Sequence, residues 1–153
     1  MSSLEGKKAP AFKLKGSDGK THALSDYKGR TVVLYFYPKD DTPGCTKEAC
    51  GFRDLYADLS DKDAVVLGVS RDDVDSHNAF IGKYDLPFTL LSDPDAKVMT
   101  AYGAYGKKMM YGKEVEGVIR STVIIGPDGK VVKHWAKVPK AEAHPAKVLE
   151  ALG

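Results

Sequence analysis

The most constraining feature of this chain is the stretch TVVLYFYP, in which residues 32–37 are apolar without a break and Pro38 ends the run. A strand wetted on one face alternates apolar and polar side chains, so an unbroken run predicts a strand covered on both faces. Proline closes it, having no N–H to donate to a ladder. A second such run, AVVLGV at 64–69, is separated from the first by a segment with apolar side chains at Ala49, Phe52, Leu55, Tyr56 and Leu59. That spacing is helical, and the helix it predicts begins near Cys45. Buried strands alternating with amphipathic helices predict an α/β layer architecture.

The rest of the chain extends the alternation. Phe12 and Leu14 interleave with lysines, GSDGK at 16–20 reads as a turn and 21–24 returns, which predicts an N-terminal β-hairpin. Residues 74–84 read as a helix, 88–91 as a third strand and 95–102 as another helix. A loop rich in Gly, Lys and Met follows, with Met109, Met110 and Tyr111 either forming an apolar patch near a pocket or tucked against the core. VIRSTVIIGPDGKVVKHWA then reads as two strands joined by a turn at 126–129, and AEAHPAKVLEAL as a closing helix. No linker, repeat or low-complexity run divides the chain, so residues 1–153 are expected to form a single domain. Strand order is not set by pattern alone.

Composition narrows the class of function. A chain of 153 residues is long enough to bury roughly 70% of its unfolded surface, so it needs no disulfide to hold together. Lys+Arg number 23 against 21 Asp+Glu, with the signs interspersed, so no basic stripe invites nucleic acid. No apolar run nears the roughly 20 residues of a membrane span, and MSSLEGKKAP lacks the apolar stretch of a secretory signal. A cytoplasmic protein without a membrane partner is expected. In the cytosol disulfides are usually transient and catalytic, which gives weight to the only two cysteines, Cys45 and Cys50.

Cys45 follows a Pro-Gly corner at the start of the helical pattern, where unpaired N–H groups and the positive end of the helix dipole favour thiolate over thiol. Acidity alone achieves little. Taking a cysteine from a pKa of about 8.5 to about 6 raises its thiolate fraction about 30-fold at pH 7, but the lost nucleophilicity cancels about 13-fold of that. A fast reaction therefore needs donors that grip the substrate and the developing charge; the Thr42 hydroxyl and the backbone N–H groups of Gly44 and Cys45 are candidates. Cys50 poses a geometric problem. Five residues along an ideal helix separate Cα atoms by about 8.6 Å, beyond the about 7 Å that a disulfide spans. If one helix carries both thiols, they pair only after its first turns unwind, and Gly51 weakens the helix there.

From the residues alone the pair stays open between inert packing and redox chemistry. Structural zinc is disfavoured because His22, His77, His134 and His144 all lie far from Cys45 in sequence, and the C-x4-C spacing departs from C-x-x-C exchangers. No histidine shows ligand spacing, and none is given a role. In GVIRSTVII, Arg120 shares a strand face with Val118, Thr122 and Ile124; if buried there it needs an anion, although pattern alone favours an exposed strand-end arginine. Glu48 reads equally as a helix-surface acid or as a partner of Arg120. Trp135 and the tyrosines read as packing residues.

These residues resemble the peroxiredoxins, and within them the bacterioferritin comigratory protein or peroxiredoxin Q group. The resemblance rests on a Pro-x-x-x-Thr-x-x-Cys pattern, here Pro38, Thr42 and Cys45 within FYPKDDTPGCTKEACGFRD. It extends through YGKEVEGVIRSTVIIGPDGKVV and the opening APAFKLKGSDGKTHALSDYKGRTVVLYFYP, nearly the whole chain. It implies a thioredoxin-like fold, with a central mixed β-sheet flanked by helices and an N-terminal β-hairpin. It further implies a thiol-dependent peroxidase that reduces hydrogen peroxide and organic hydroperoxides with no metal or organic cofactor.

In that resemblance Cys45 is the peroxidatic cysteine, oxidised to a sulfenic acid. Thr42 hydrogen-bonds thiolate and substrate, Pro38 shapes and shields the pocket, and Arg120 stabilises the thiolate and orients the peroxide. Gly44 and Glu48 stand on the substrate side. Cys50 is the resolving cysteine, forming an intramolecular disulfide that thioredoxin or a similar dithiol reduces, so a monomer is expected. Val123 stands where the family pattern leads one to expect phenylalanine and Gly126 where it leads one to expect aspartate; both look like packing or turn positions. Two other functions compete: a protein thiol–disulfide oxidoreductase, and a redox sensor that peroxide oxidises once.

Overall fold

The computed structural model describes residues 4–153, apart from the side chain of Met110. Met1 to Ser3, at the start of the stretch read for a secretory signal, therefore lie outside the described residues. Strands β1 (Lys13–Gly16) and β2 (Thr21–Ala23) form the expected N-terminal hairpin. The unbroken apolar runs become β3 (Thr31–Phe36) and β4 (Ala64–Ser70), paired in parallel, with β5 (Thr89–Ser92) parallel to β4. A ribbon of β6 (Tyr105–Met110) and β7 (Lys113–Val118) stands apart from the main sheet. Strand β8 (Ser121–Ile125) lies antiparallel to β3, and β9 (Val131–Trp135) antiparallel to β8. The mixed sheet has the order β2-β1-β5-β4-β3-β8-β9, so β3 and β4 sit at its centre.

Five α-helices among the described residues complete the fold: α1 (Pro43–Asp54), α2 (Tyr56–Asp61), α3 (Val74–Tyr84), α4 (Lys97–Ala101) and α5 (His144–Ala151). Successive side chains of β3 go to opposite faces of the sheet. Val32, Leu34 and Phe36 enter a core with Met99 and Tyr102, while Val33, Tyr35 and Tyr37 enter another with Cys45, Ala49, Phe52 and Val148. Two covered faces are the physical reason that the 32–37 run never alternates.

Three expectations need correction. The Gly-, Lys- and Met-rich loop is the β6–β7 ribbon, turned by Tyr111 at φ 53° and Gly112 at φ 78°. Positive φ at both central residues suits the twist of a two-residue hairpin. Its strands bury little, so they carry no apolar alternation to read, and Met109 and Tyr111 are 68% and 98% exposed rather than tucked inward. The Met110 part of that reading lies outside the described residues. Arg120 is not on a strand, because β7 ends at Val118 and β8 begins at Ser121. Finally, α5 begins at His144 rather than near residue 141, with Pro145 in its first turn, where a missing N–H costs nothing.

Candidate active site

The site forms where β3 ends. Phe36 pairs with Ser121, so the residue before β8, Arg120, comes alongside the turn that leaves β3 through Tyr37 and Pro38. Thr42 then caps α1 from an extended backbone, with Pro43 as the first helical residue. The cap makes no side-chain hydrogen bond and the first turn holds no acid, so the N–H groups of that turn are left to an anion at this helix end. One face of α1 is buried at Cys45, Glu48, Ala49 and Phe52, the i, i+3, i+4, i+7 spacing of a helix seated on a sheet.

On that face the chemistry converges. Arg120 Nη2 donates to Cys45 Sγ at 3.2 Å and Nη1 donates to Glu48 Oε1 at 2.7 Å. One planar guanidinium thus spans both groups, which a lysine ammonium could not do with the same geometry. The question of Glu48 is decided: it is fully buried and paired, not a surface acid. Burial pushes its carboxyl up to about 7 despite the opposing pull of Arg120. Glu48 Oε2 and the hydroxyl of Tyr35 are both buried without a partner, and burial followed by the charges of Glu48 and Cys45 drives the Tyr35 phenol well above its usual range. Gly44 faces Arg120 so closely that a Cβ there would stand 3.2 Å from Nη2, so a bare Cα lets the guanidinium lie over the helix start. Beside them an open depression of about 690 Å³ is lined by Gly44, Lys47, Arg120 and residues 139–143. A better enclosed cavity of about 680 Å³ lies at the far end of β3, around Val32 and Ile125, away from both cysteines.

Two expected residues behave differently from the reading. Thr42 Oγ1 donates to the Lys39 carbonyl at 2.9 Å, so its proton is already engaged and the hydroxyl is left to act as an acceptor. Gly51 also has a packing role: a Cβ there would stand 2.7 Å from Pro145 Cγ, so α1 can approach α5 only with glycine at this position. Pro38 is half-buried at the head of the loop. Cys45 and Cys50 are both free thiols, Cys45 buried and Cys50 partly exposed, and they lie in one helix. Sequence reasoning missed the polar cluster behind the loop, centred on Asp40 and His77. The signal was present: His77 falls on the apolar stripe of α3 with Val74, Phe80 and Ile81, where a polar side chain needs a partner.

A cysteine buried against a guanidinium at a helix start, on a sheet of this topology, defines a thiol-reactive enzyme. Residues 5–134 match the AhpC/TSA family, and the chain belongs to that family. A peroxiredoxin Bcp from Bacillus subtilis is 48% identical over 96% of this chain and 93% of its own. A putative peroxiredoxin bcp from Coxiella burnetii is 50% identical over 99% of this chain and 100% of its own. Among solved structures, peroxiredoxin Q of Xanthomonas campestris superposes with a TM-score of 0.87 at 43% identity, covering 92% of this chain and 89% of that one. Membership carries a thioredoxin-like fold, thiol peroxidase activity, a peroxide substrate and a thioredoxin-like dithiol reductant.

Proposed function

We propose that Cys45 is the peroxidatic cysteine, that Cys50 resolves it, and that hydrogen peroxide and organic hydroperoxides are the substrates. The observation that carries this is the Arg120 guanidinium bridging Cys45 Sγ and Glu48. Its positive charge stabilises a thiolate, and as the O–O bond lengthens it also faces the developing negative oxygen. The thiolate attacks the terminal peroxide oxygen; an S–O bond forms, the O–O bond breaks, and the alkoxide or hydroxide leaves with a proton from solvent. Thr42 accepts a hydrogen bond from the peroxide O–H, and the N–H groups of Gly44 and Cys45 face the same charge. Pro38 shields the pocket from water.

The Cys50 thiol then attacks the sulfenic sulfur, forming the S–S bond and releasing water. A dithiol reductant of the thioredoxin kind exchanges with that disulfide, returning both thiols and itself becoming oxidised. Glu48 braces Arg120 rather than touching substrate. The resolving thiol lies in the same chain, which supports a monomeric, one-domain enzyme over residues 1–153. A cytoplasmic location fits the reducing partner this cycle needs. No helix among the described residues is long and apolar enough to cross a membrane, and the interspersed charge offers no nucleic-acid surface. A bacterioferritin comigratory protein of Xanthomonas campestris is described for alkyl peroxide reduction, and the open depression beside Arg120 leaves room for an alkyl group here.

Stopped-flow oxidation of the reduced protein by hydrogen peroxide tests the reading. Oxidation far faster than a free thiol is expected, absent in Cys45→Ser and halted at the sulfenic acid in Cys50→Ser. A free-thiol rate in the parent protein would defeat the assignment and leave the pair as a sensor.

A further inference from the structure

The Asp40 carboxylate collects hydrogen bonds from three directions. Tyr37 Oη donates to Oδ1 at 2.5 Å, Ser76 Oγ donates to Oδ2 at 2.8 Å, and His77 Nδ1 lies 2.7 Å from Oδ2. His77 is fully buried, and its other ring nitrogen, Nε2, lies 2.9 Å from the carbonyl oxygen of Leu91. That carbonyl can only accept, so Nε2 carries a proton. Asp40 also accepts two hydroxyl donors, and the 2.7 Å contact to Nδ1 requires one proton between ring and carboxyl. Without that proton two lone pairs would face each other in a dry interior, where an unsatisfied polar group is costly.

We infer that Asp40 and His77 are positioning residues, a buried hydrogen-bonded carboxyl–imidazole pair that fixes residues 38–42 and so holds Thr42 and the start of α1 in register with Arg120. The inference rests on Cys45 as the peroxidatic cysteine. The pair is joined by further anchors on the same segment. Asp40 N–H donates to Asp72 Oδ2 at 2.8 Å, and Asp41, at φ 58°, accepts from Lys83 Nζ and Tyr84 Oη at 2.8 Å each. A non-glycine residue in the left-handed region persists only where its surroundings hold it. The segment joins the centre of the sheet to the reactive helix, so a loosened pair lets Thr42 and the start of α1 drift against Arg120, which lies just before β8.

Two measurements test this. Nitrogen-15 NMR of histidine-labelled reduced protein, with His77→Gln to assign the signal, is expected to show both His77 ring nitrogens hydrogen-bonded within the protein; a ring nitrogen open to solvent would overturn the pair. Stopped-flow rates for His77→Gln, Asp40→Asn and the double variant are expected to fall about 10- to 100-fold, the scale of roughly an ångström of misplacement. The double variant should be no slower than the slower single, because both changes remove one interaction. Rates within about twofold of the parent, or additive losses, would sink the positioning role. Failure of the underlying peroxidase reading would show in the parent protein's own rate, whereas failure of this inference shows in the variants and the imidazole spectrum.

Discussion

The two segments flanking the Cys45 sulfur are built in opposite ways. Residues 38–42 are tied down by directional bonds from Asp40, Asp41 and Thr42 to α3, the end of β4 and the segment itself. Among the described residues of α1 from Thr46 to Gly51, the side-chain polar ties are Glu48 to Arg120 and a surface pair of Lys47 with Glu142 at 3.8 Å. The helix is otherwise held by its own backbone ladder and by Cys45, Ala49 and Phe52 packing on the sheet. The difference teaches which part must stay and which must move. In the proposed cycle the loop keeps its acceptor and donors in place for every turnover. A Cys45–Cys50 disulfide would require the helix to open, because Cα atoms five residues apart in it stand about 8.6 Å from each other, beyond disulfide reach at about 7 Å.

The largest expected effect attacks the residue that both regions share. Arg120→Ala removes the charge facing Cys45 and leaves Glu48 buried without a cation; we expect peroxide oxidation to slow about 10²- to 10³-fold. Stability should drop by about 3 kcal/mol in urea titration, as when one partner of a buried pair is removed. A rate within tenfold of the parent would show that the guanidinium is not what activates the sulfur. The comparison itself is tested by hydrogen exchange. In the disulfide form, amides across residues 45–53 should lose protection by orders of magnitude while the Asp40 amide, bonded to Asp72, keeps its own. Equal protection of α1 in both redox states would refute the division into a fixed loop and a labile helix.

Gly51→Ala gives a smaller effect that sharpens the picture. Alanine favours a helix by about 1 kcal/mol over glycine, but its Cβ would stand 2.7 Å from the stiff ring of Pro145. Overpacking is expected to win, with a net loss of about 1 kcal/mol. A stabilised variant would mean that Gly51 weakens the helix rather than fits it against α5. The last test lies in the pH dependence of stability. Glu48 has a folded pKa of about 7 against 4.5 in a model peptide, so its contribution is full below about 4.5 and is lost as pH rises through about 7. His144 has the opposite sign: burial first, then Lys147 and Arg120, lowers it to about 4. Its contribution is present above about 6.5 and is lost as pH falls through about 4. Denaturation of Glu48→Gln should therefore lack the decline between pH 4.5 and 7, and His144→Gln should lack the gain from 4 to 6.5.

Much of the molecule was legible from the chain alone, for reasons that stay local. An apolar run without alternation can satisfy itself only between two layers, so β3 and β4 were readable from residues 32–37 and 64–69. Pro38, the Pro43-Gly44 corner and the helical spacing after them set the strand end, the helix start and the place of Cys45 between them. The β6–β7 ribbon escaped because a ribbon wetted on both sides leaves no apolar period. What tertiary structure alone decided was every partnership across the sequence. Arg120 reaches Glu48 and Cys45 because β8 pairs with β3, and His77 meets Asp40 because α3 packs beside the turn leaving β3. Periodicity reports which side of an element is buried, but only the packed sheet specifies which polar group waits there, and a buried charge is stable only where that partner exists.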